Sequence, residues 1–217
     1  MDLGDRRARL SGLTASTAKS PNHDGWRRLK AFRAAFPTVS LRLYVEALGA
    51  VRQMVLNGGA LIGICGAFDE AGAGIERIAV GSVEWIPVAA PGHPLALAGR
   101  NAPGAGRHHI KLVLTDRSPL TKRQDFGVIA TENWRLADLG SKHLLRKEGI
   151  GWGYMPEPMV CEDIEGGRLV PLDMPELQRG SLRLYAIYRT DAPPGPTGSW
   201  LIPRFEAQAA TATESAD

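Results

Sequence analysis

Cysteine is scarce in this sequence of 217 residues, which contains only two. Cys65 and Cys161 lie far apart, and neither belongs to a Cys-x-x-Cys or His-x-x-Cys pair. A zinc site or a disulfide framework needs several such residues at fixed spacings, so the sequence predicts neither. Both cysteines sit among apolar residues, where a small buried side chain is their ordinary role.

Long hydrophobic runs are also missing. No stretch approaches the roughly 18 consecutive apolar residues of a membrane-spanning helix. The charged N-terminus is not followed by the apolar segment of a secretory signal. A hydrophobic content of 44% and a charged content of 23% are typical of a soluble globular chain. We therefore expect a cytoplasmic protein without a membrane partner.

Motifs for catalysis or cofactor binding are absent as well. The sequence contains no GxSxG, HExxH, P-loop or dinucleotide-binding glycine pattern. Neighbouring carboxylates such as Glu162 and Asp163 are expected on a helix surface, without the apolar surroundings that would shift a pKa. His108 and His109 are adjacent, so on a strand they would point to opposite faces and could not share a metal. We predict no enzyme, no cofactor and no metal.

Positive charge is concentrated near the N-terminus, where residues 1–37 carry eight Lys or Arg against three Asp. Such a segment could contact nucleic acid. It lacks aromatic interleaving and a zinc pattern, however, and Pro21, Asn22 and Gly25 interrupt its first candidate helix. We favour the alternative of a solvated arm, and we treat residues 1–24 as an atypical, partly disordered segment.

Helical and extended patterns alternate along the rest of the chain. Apolar residues recur at helical spacing before Pro37, and the run VSLRLYVEA then alternates between apolar and polar residues as a strand does. Helices are predicted at 24–36, 48–56, 137–148, 156–165 and after 196, and extended segments at 39–46, 60–66, 75–81, 83–90, 109–116, 125–130, around 134, at 150–155 and at 182–190. This order predicts an α/β fold with mostly parallel sheets.

The most informative stretch is 147–173, KEGIGWGYMPEPMVCEDIEGGRLVPLD. It reads as the end of a helix, a short strand, a helix opened by Pro156 and a further strand. A strand end that leads into a helix exposes free backbone N–H groups, which suit a small anion. The alternative is that these glycines and the proline only delimit the elements.

Four segments in this order resemble the effector-binding domain of LysR-type transcriptional regulators. They are AFRAAFPTVSLRLYVEALGAVRQMVLNGGALIGICG, IPVAAPGHPLA, the stretch GIGWGYMPEPMVCEDIEGGRLVPLD and LYAIYRT, and the match covers roughly residues 26–205. The resemblance implies a fold like that of type 2 periplasmic binding proteins, with two α/β lobes, two crossing strands and a ligand cleft between the lobes. The crossings are expected near 86–90 and 186–190, lobe I at 25–88 with 188–212, and lobe II at 89–187.

The sequence departs from this family at its N-terminus. A full member begins with a winged helix-turn-helix, which has no counterpart here, and the first strand of lobe I is represented only by RLSGLT, Arg9 to Thr14. The resemblance implies a sensor of a small, anionic organic effector. It would pair with itself or with a full-length regulator and would not bind DNA directly. The alternatives are a solute-binding or enzyme-like member of the periplasmic-binding superfamily, or a regulator fragment without function.

The candidate site follows from the ends of the predicted strands. Ligands of doubly wound sheets bind at the C-terminal ends of strands, and the resemblance places effector contacts at the same ends. The predicted ligand-binding residues are Glu46, Leu48, Gly49, Cys65, Gly66, Thr115, Asp116, Arg117, Ser118, Gly151, Trp152 and Met155. Cys65 and Trp152 could instead belong to the core, and Arg117 could pair with Asp116 rather than with a ligand.

Overall fold

The computed structural model describes residues 7–12, 24–66, 73–98, 101–115, 130–175 and 179–211. The strands are β1 (Arg7–Gly12), β2 (Ser40–Tyr44), β3 (Ile62–Gly66), β4 (Ile75–Ala89), β5 (Lys111–Leu114), β6 (Asn133–Leu136), β7 (Gly153–Pro156), β8 (Val170–Pro171) and β9 (Gly180–Arg189). The helices are α1 (Asp24–Ala35), α2 (Gly49–Leu56), α3 (Pro94–Leu97), α4 (Leu139–Lys147), α5 (Glu157–Glu165) and α6 (Pro196–Thr211), with a 3₁₀ turn at Ala105–His108.

The predicted helices and strands have counterparts in these elements, apart from the extended segment at 125–130, which lies almost entirely outside the described residues. Two differences are informative. The segments predicted at 75–81 and 83–90 form one strand, β4, which passes through Gly81 with a shift of register. The glycine has φ 127°, a conformation that side chains disfavour, so it bends the strand where the sequence suggested a break. The segment PGHPLA, which lies outside the helices and strands predicted from the sequence, contains the short helix α3.

One sheet runs through the molecule in the strand order β2-β1-β3-β9-β4-β7, and β8 also pairs with β4. The strands β5 and β6 form a second, small sheet. The first strand, expected at Arg9–Thr14, lies at Arg7–Gly12 between β2 and β3. It pairs in parallel with both neighbours, so the backbone of this segment joins the sheet.

The fold class is α/β, but its sheets contain both strand directions. Among the described residues, the pairs β1–β2, β1–β3 and β5–β6 are parallel, whereas β3–β9, β4–β7, β4–β8 and β4–β9 are antiparallel. The expectation of mostly parallel sheets is therefore not confirmed. The long strands β4 and β9 account for the difference, because they pair with each other along ten registers.

Two groups of apolar clusters fill the interior. Around β3 and the second half of β9, helix α2 packs through Val51 and Val55, and the ends of α1 and α6 pack through Phe32 and Leu201. Around the second half of β4, Ile86 and Val88 pack against α4 and α5, and Trp152 packs against Leu95. Each group is covered by its own helices. No described helix is both long and apolar enough to cross a membrane.

Local chemistry explains where α4 begins and ends. Asp138 stands immediately before the helix, and its carboxylate accepts a hydrogen bond from the backbone N–H of Ser141 at 2.7 Å. This cap satisfies one of the free N–H groups of the first turn. At the other end Gly149 has φ 80°, the left-handed conformation that commonly closes a helix. Helix α4 is thereby fixed between the end of β6 and the start of β7.

Candidate functional site

The predicted site residues 46–49 and 65–66 lie at one edge of the large sheet. The strands β2, β1 and β3 are mutually parallel, so their C-terminal ends meet at the same edge. Glu46, Leu48 and Gly49 follow the end of β2, and Cys65 and Gly66 end β3. The structure thus brings these five residues to a common edge.

The backbone at the start of α2 is unusual. Leu48 has φ 51° and ψ −128°, and it is the one residue other than glycine with positive φ in the described part of the chain. Such a conformation costs on the order of 1 to 3 kcal/mol and tends to occur at ligand-binding positions. The helix that follows begins with Gly49 and has no side-chain cap.

A second set of strand ends belongs to the other half of the molecule. The strands β5 and β6 are parallel, and Lys111 at the start of β5 makes a parallel bridge with Trp152. The C-terminal ends of β5, β6 and β7 therefore point the same way. Thr115 follows β5, where its N–H donates to the carbonyl of Leu136 at 2.9 Å, and Met155 lies near the end of β7.

The strand registers place these two sets of ends opposite each other. The last residue of β3, Gly66, pairs with Leu184 of β9. The last residue of β7, Pro156, pairs with Trp85 of β4. Trp85 pairs in turn with Gly180 of β9. Strand β3 runs towards the start of β9, and β7 runs in the opposite direction. The two ends are thus separated along β9 by four residues, or about 13 Å at a strand's rise per residue.

Two paired strand segments, 81–85 of β4 and 180–184 of β9, lie between the end of β3 and the end of β7. We call them the cleft floor. Ser82 and Arg183, which pair with each other, are both exposed there. The floor lies a few residues before the crossings at 86–90 and 186–190 that the resemblance implied. Its position follows from where β3 and β7 stop, a long-range property of the sheet.

Three predicted site residues are buried in the interior. The side chains of Trp152 and Met155 have no exposed surface, and the indole N–H of Trp152 donates to the carbonyl of Gly106 at 3.1 Å. Trp152 thus has the core position that the sequence left open as an alternative. Gly151 has φ 67°, and a Cβ there would lie 2.5 Å from the carbonyl oxygen of Ile110. Its role in the fold is this close contact between strands.

Cys65 also lies in the core, with 8% of its surface exposed, against Val51 and Val55. Asp116, Arg117 and Ser118 lie outside the described residues.

The sequence reasoning missed a cluster of buried cations. Lys111, Lys142 and Arg146 are 4%, 3% and 0% exposed. The Nζ of Lys142 donates to the carbonyl of Tyr154 at 2.9 Å and lies 5.8 Å from the ring centre of Trp85. A signal was present in the sequence: Leu139, Lys142 and Arg146 are spaced three and four apart, so they share one face of α4.

Burial shifts the pKa of each cation in this cluster. It lowers the pKa of Lys111 to about 8 and that of Arg146 to about 9. The pKa of Lys142 is lowered well below its ordinary value, first by burial and then by the charges of Arg146 and Lys111. All three shifts have one sign because burial disfavours the charged form of each base.

The expectation for Asp163 was wrong. This carboxylate is buried rather than exposed on the surface of α5, and it is contacted by His143, Lys147 and Arg168. Burial alone would raise its pKa, but the hydrogen bonds from Arg168, Lys147 and His143 outweigh burial and lower it. Asp163 is therefore satisfied by its own neighbours and is not a counter-ion for Lys142 or Arg146.

A separate groove of about 750 Å³ lies at the other end of β5. Its lining includes His93, Arg107, His109 and Glu132, and the rings of His93 and His109 meet edge to face. Within the described residues, no group of three or more His, Cys, Asp or Glu side chains is arranged to hold a metal ion.

Comparison with known proteins identifies the family. The sequence profile of the LysR substrate binding domain matches residues 26–210. The chain therefore belongs to this family, and it is an effector-binding regulatory domain of a LysR-family transcriptional regulator rather than an enzyme.

Solved regulatory domains share the fold at low sequence identity. The regulatory domain of CrgA from Neisseria meningitidis is 13% identical, with a TM-score of 0.70 over 94% of this chain and 98% of the other. The regulatory domain of CcmR from Synechocystis PCC6803, in complex with 2-PG, is 18% identical, with a TM-score of 0.70 over 94% and 97%. The effector binding domain of QuiR, in complex with shikimate, is 13% identical, with a TM-score of 0.69 over 94% and 97%.

Proposed function

We propose that this chain senses a small, anionic organic molecule, which binds in a cleft between two lobes. The observation that carries the proposal is the convergence of the two sets of strand ends on the cleft floor. Ligands of α/β sheets occupy such positions, outside the carboxyl ends of the strands. Two structures with the same fold were determined with small organic molecules, 2-PG in CcmR and shikimate in QuiR.

The two lobes in this proposal are those expected from the sequence, 25–88 with 188–212 and 89–187, with the strand β1 added to the first. With these bounds the chain passes between the lobes at 88–89 and 187–188, just beyond the cleft floor. Ligand contacts are proposed from Glu46, Leu48, Gly49, Gly66 and Thr115, with Asp116, Arg117 and Ser118 kept as predicted from the sequence. The effector acts by favouring one arrangement of the lobes over another, a shift of population that requires no chemical step.

The test is a thermal melt of the full chain with a panel of small carboxylic acids and phosphate esters, each paired with its neutral amide or alcohol. A ligand at about one hundred times its Kd adds roughly 2.7 kcal/mol of stability, which raises the Tm by about 5 to 10 °C for a chain of this size. Ser82→Trp would fill the cleft floor and abolish that shift. Ala31→Trp, at an exposed position of α1, would preserve it. A panel without any shift would contradict the proposal.

We further propose that the domain works in the cytoplasm as a dimer, with itself or with a full-length regulator, and that residues 26–210 act on DNA only through their partner. Support comes from β2, which is the outer strand of the sheet in the described part of the chain. Leu43 and Val45, in and just after this strand, are 36% and 53% exposed. An unprotected strand edge with apolar side chains is a site where another chain can pair.

Sedimentation analysis tests the dimer. We expect Leu43→Lys with Val45→Lys to shift the protein from dimer to monomer, and the monomer should still unfold in one cooperative transition. Leu144→Lys, at a residue of α4 that is 64% exposed, is the control and should leave the dimer intact. A monomeric parent protein would refute self-association. A pull-down of the chain with a full-length regulator would then show whether the two form a mixed dimer.

A further inference from the structure

Two residues close to Lys142, namely Arg146 and Trp85, have buried hydrogen-bond donors without acceptors in the described part of the chain. None of the three guanidinium nitrogens of Arg146 has a hydrogen-bond partner, although the side chain is completely buried. The buried indole N–H of Trp85 has none either. A buried arginine without an acceptor is rare, because an uncompensated charge in the interior costs several kcal/mol.

Lys142 lies between these two donors. It is one helical turn before Arg146 on the same face of α4, and its Nζ lies 5.8 Å from the ring centre of Trp85. The nearest buried carboxylate described on these helices, Asp163, already contacts His143, Lys147 and Arg168. Arg146 and Trp85 therefore have free N–H groups, Lys142 adds positive charge, and no described carboxylate contributes to the pKa of Lys142 or Arg146.

The position of the cluster connects it to the cleft floor. Trp85 belongs to the floor and pairs with Pro156 at the end of β7. Lys142 donates to the carbonyl of Tyr154, which precedes Met155 in the same strand. Arg146 lies deeper, beside Gly153, where a Cβ would come within 3.4 Å of the guanidinium. The guanidinium therefore packs closely against the backbone of Gly153, and Lys142 and Trp85 connect it to the residues at the end of β7.

We propose that Lys142, Arg146 and the indole N–H of Trp85 bind a carboxylate or phosphate group of the effector. This inference rests on the proposed function and specifies the ligand class of that site. A planar guanidinium donates two parallel hydrogen bonds to an oxyanion, and a lysine ammonium adds charge and a third donor. The anion supplies the acceptors that these groups lack, and burial makes each hydrogen bond stronger than it would be in water.

Titration calorimetry and thermal melts of the full chain test the proposal. The probes are sodium sulfate and sodium phosphate, with sodium chloride at equal ionic strength as the reference, followed by any compound that the effector panel identifies. Arg146→Met and Lys142→Met remove one charge each. Lys30→Met removes the same charge from an exposed position of α1, away from the cleft floor, and is the control. Arg146→Lys retains the charge but loses the paired donors.

We expect the oxyanions to raise the Tm of the parent protein and of Lys30→Met relative to chloride. Arg146→Met and Lys142→Met should weaken binding by about 10- to 100-fold, the loss of one charge-assisted hydrogen bond or two, and Arg146→Lys should fall between. Without an anion, Arg146→Met should melt at or above the temperature of the parent protein, because it removes an uncompensated buried charge. This readout separates lost binding from lost folding.

Two results would overturn the inference: no oxyanion effect on the parent protein, or the same effect in all variants. If a panel compound binds the parent protein and Arg146→Met equally well, the effector cleft stands and the anion assignment fails. If sulfate binding depends on Arg146 but no organic compound binds, the anion assignment stands and the proposed effector function fails.

Discussion

The imidazole Nε2 of His143 and the carboxylate Oδ2 of Asp163 lie 2.6 Å apart, and both side chains are buried. Lys147 contacts the other carboxylate oxygen at 3.2 Å, and Arg168 donates to that oxygen as well. One carboxylate thus joins α4, α5 and the turn before β8. Removing it would leave the donors around it without their acceptor.

Asp163→Asn should lower the free energy of unfolding by about 2 to 4 kcal/mol, because it leaves buried donors facing a neutral amide. Urea denaturation at pH 7 measures the loss. Glu162→Gln, at the neighbouring exposed position, should change stability by no more than about 0.5 kcal/mol. Equal losses in both variants would show that the network does not stabilise the fold.

The same pair predicts a loss of stability in acid. Burial lowers the pKa of His143 below its ordinary value of 6.5, and the pKa of Asp163 lies below 3.8. The folded state therefore binds fewer protons than the unfolded state, so stability is highest above pH 6.5 and falls as pH decreases through both values. Melting curves between pH 8 and pH 3 measure this, and His143→Gln should flatten the first stage. A Tm that rises between pH 7 and pH 5 would contradict the prediction.

Replacement by alanine should destabilise the protein to different extents at two glycines of the stretch 147–173. Gly149 and Gly151 both have positive φ, at 80° and 67°, but only at Gly151 would a Cβ meet backbone, 2.5 Å from the carbonyl oxygen of Ile110. We expect Gly149→Ala to cost about 1 kcal/mol for the strained conformation, and Gly151→Ala to cost roughly 3 kcal/mol or more because the strands must also separate. Chemical denaturation compares the two, and similar losses would refute the close contact.

Trp152 should stabilise the hydrophobic core rather than contact the effector. Trp152→Phe removes the hydrogen bond to Gly106 and leaves a void among Leu95, Leu172 and Met174, so we expect a loss of about 2 to 3 kcal/mol. Trp134 is 41% exposed, and Trp134→Phe should cost less than about 1 kcal/mol. Denaturant midpoints measure both. If Trp152→Phe instead weakened effector binding with stability unchanged, the ring would be a ligand contact.

Binding of sulfate, whose charge is constant above neutral pH, should weaken in alkali. Lys142 and Arg146 on α4 face Lys111 on β5, Tyr154 on β7 and Trp85 on β4, and the pKa values of Lys111 and Arg146 are lowered to about 8 and about 9. These bases bind an anion in their protonated form, so affinity is complete below their lowered pKa values and falls as pH rises through them. Calorimetry from pH 7 to pH 10 tests this. An affinity independent of pH would exclude the lysines from the site.

Local features of the sequence determined most of the elements. The apolar periodicity before Pro37 gave α1, the apolar run before Gly66 gave β3, and Gly149 marks the end of α4, because each depends on residues close in the chain. The break expected between the extended segments 75–81 and 83–90 was wrong because it, too, depended only on residues close in the chain. A glycine and a serine indicate a turn locally, but ten paired registers with β9 keep β4 continuous.

The ends of the strands, and with them part of the candidate site, were also predictable. Glu46, Gly66 and Thr115 follow strands that the sequence identified, and parallel pairing brings such ends to one edge. The distance between the two edges was not predictable. It depends on the registers of β3 and β7 along the β4–β9 pair, which join residues 65 to 124 positions apart.

Burial of polar groups was decided by tertiary structure alone. The sequence placed Glu162 and Asp163 on a helix surface, and it drew no attention to Lys142 and Arg146. In the folded chain Lys142, Arg146 and Asp163 are buried, and packing gives Asp163 three donors but leaves the guanidinium of Arg146 without an acceptor among the described residues. Sequence determines helices and strands through short-range geometry, whereas the environment of a charge is set by whatever the fold places over it.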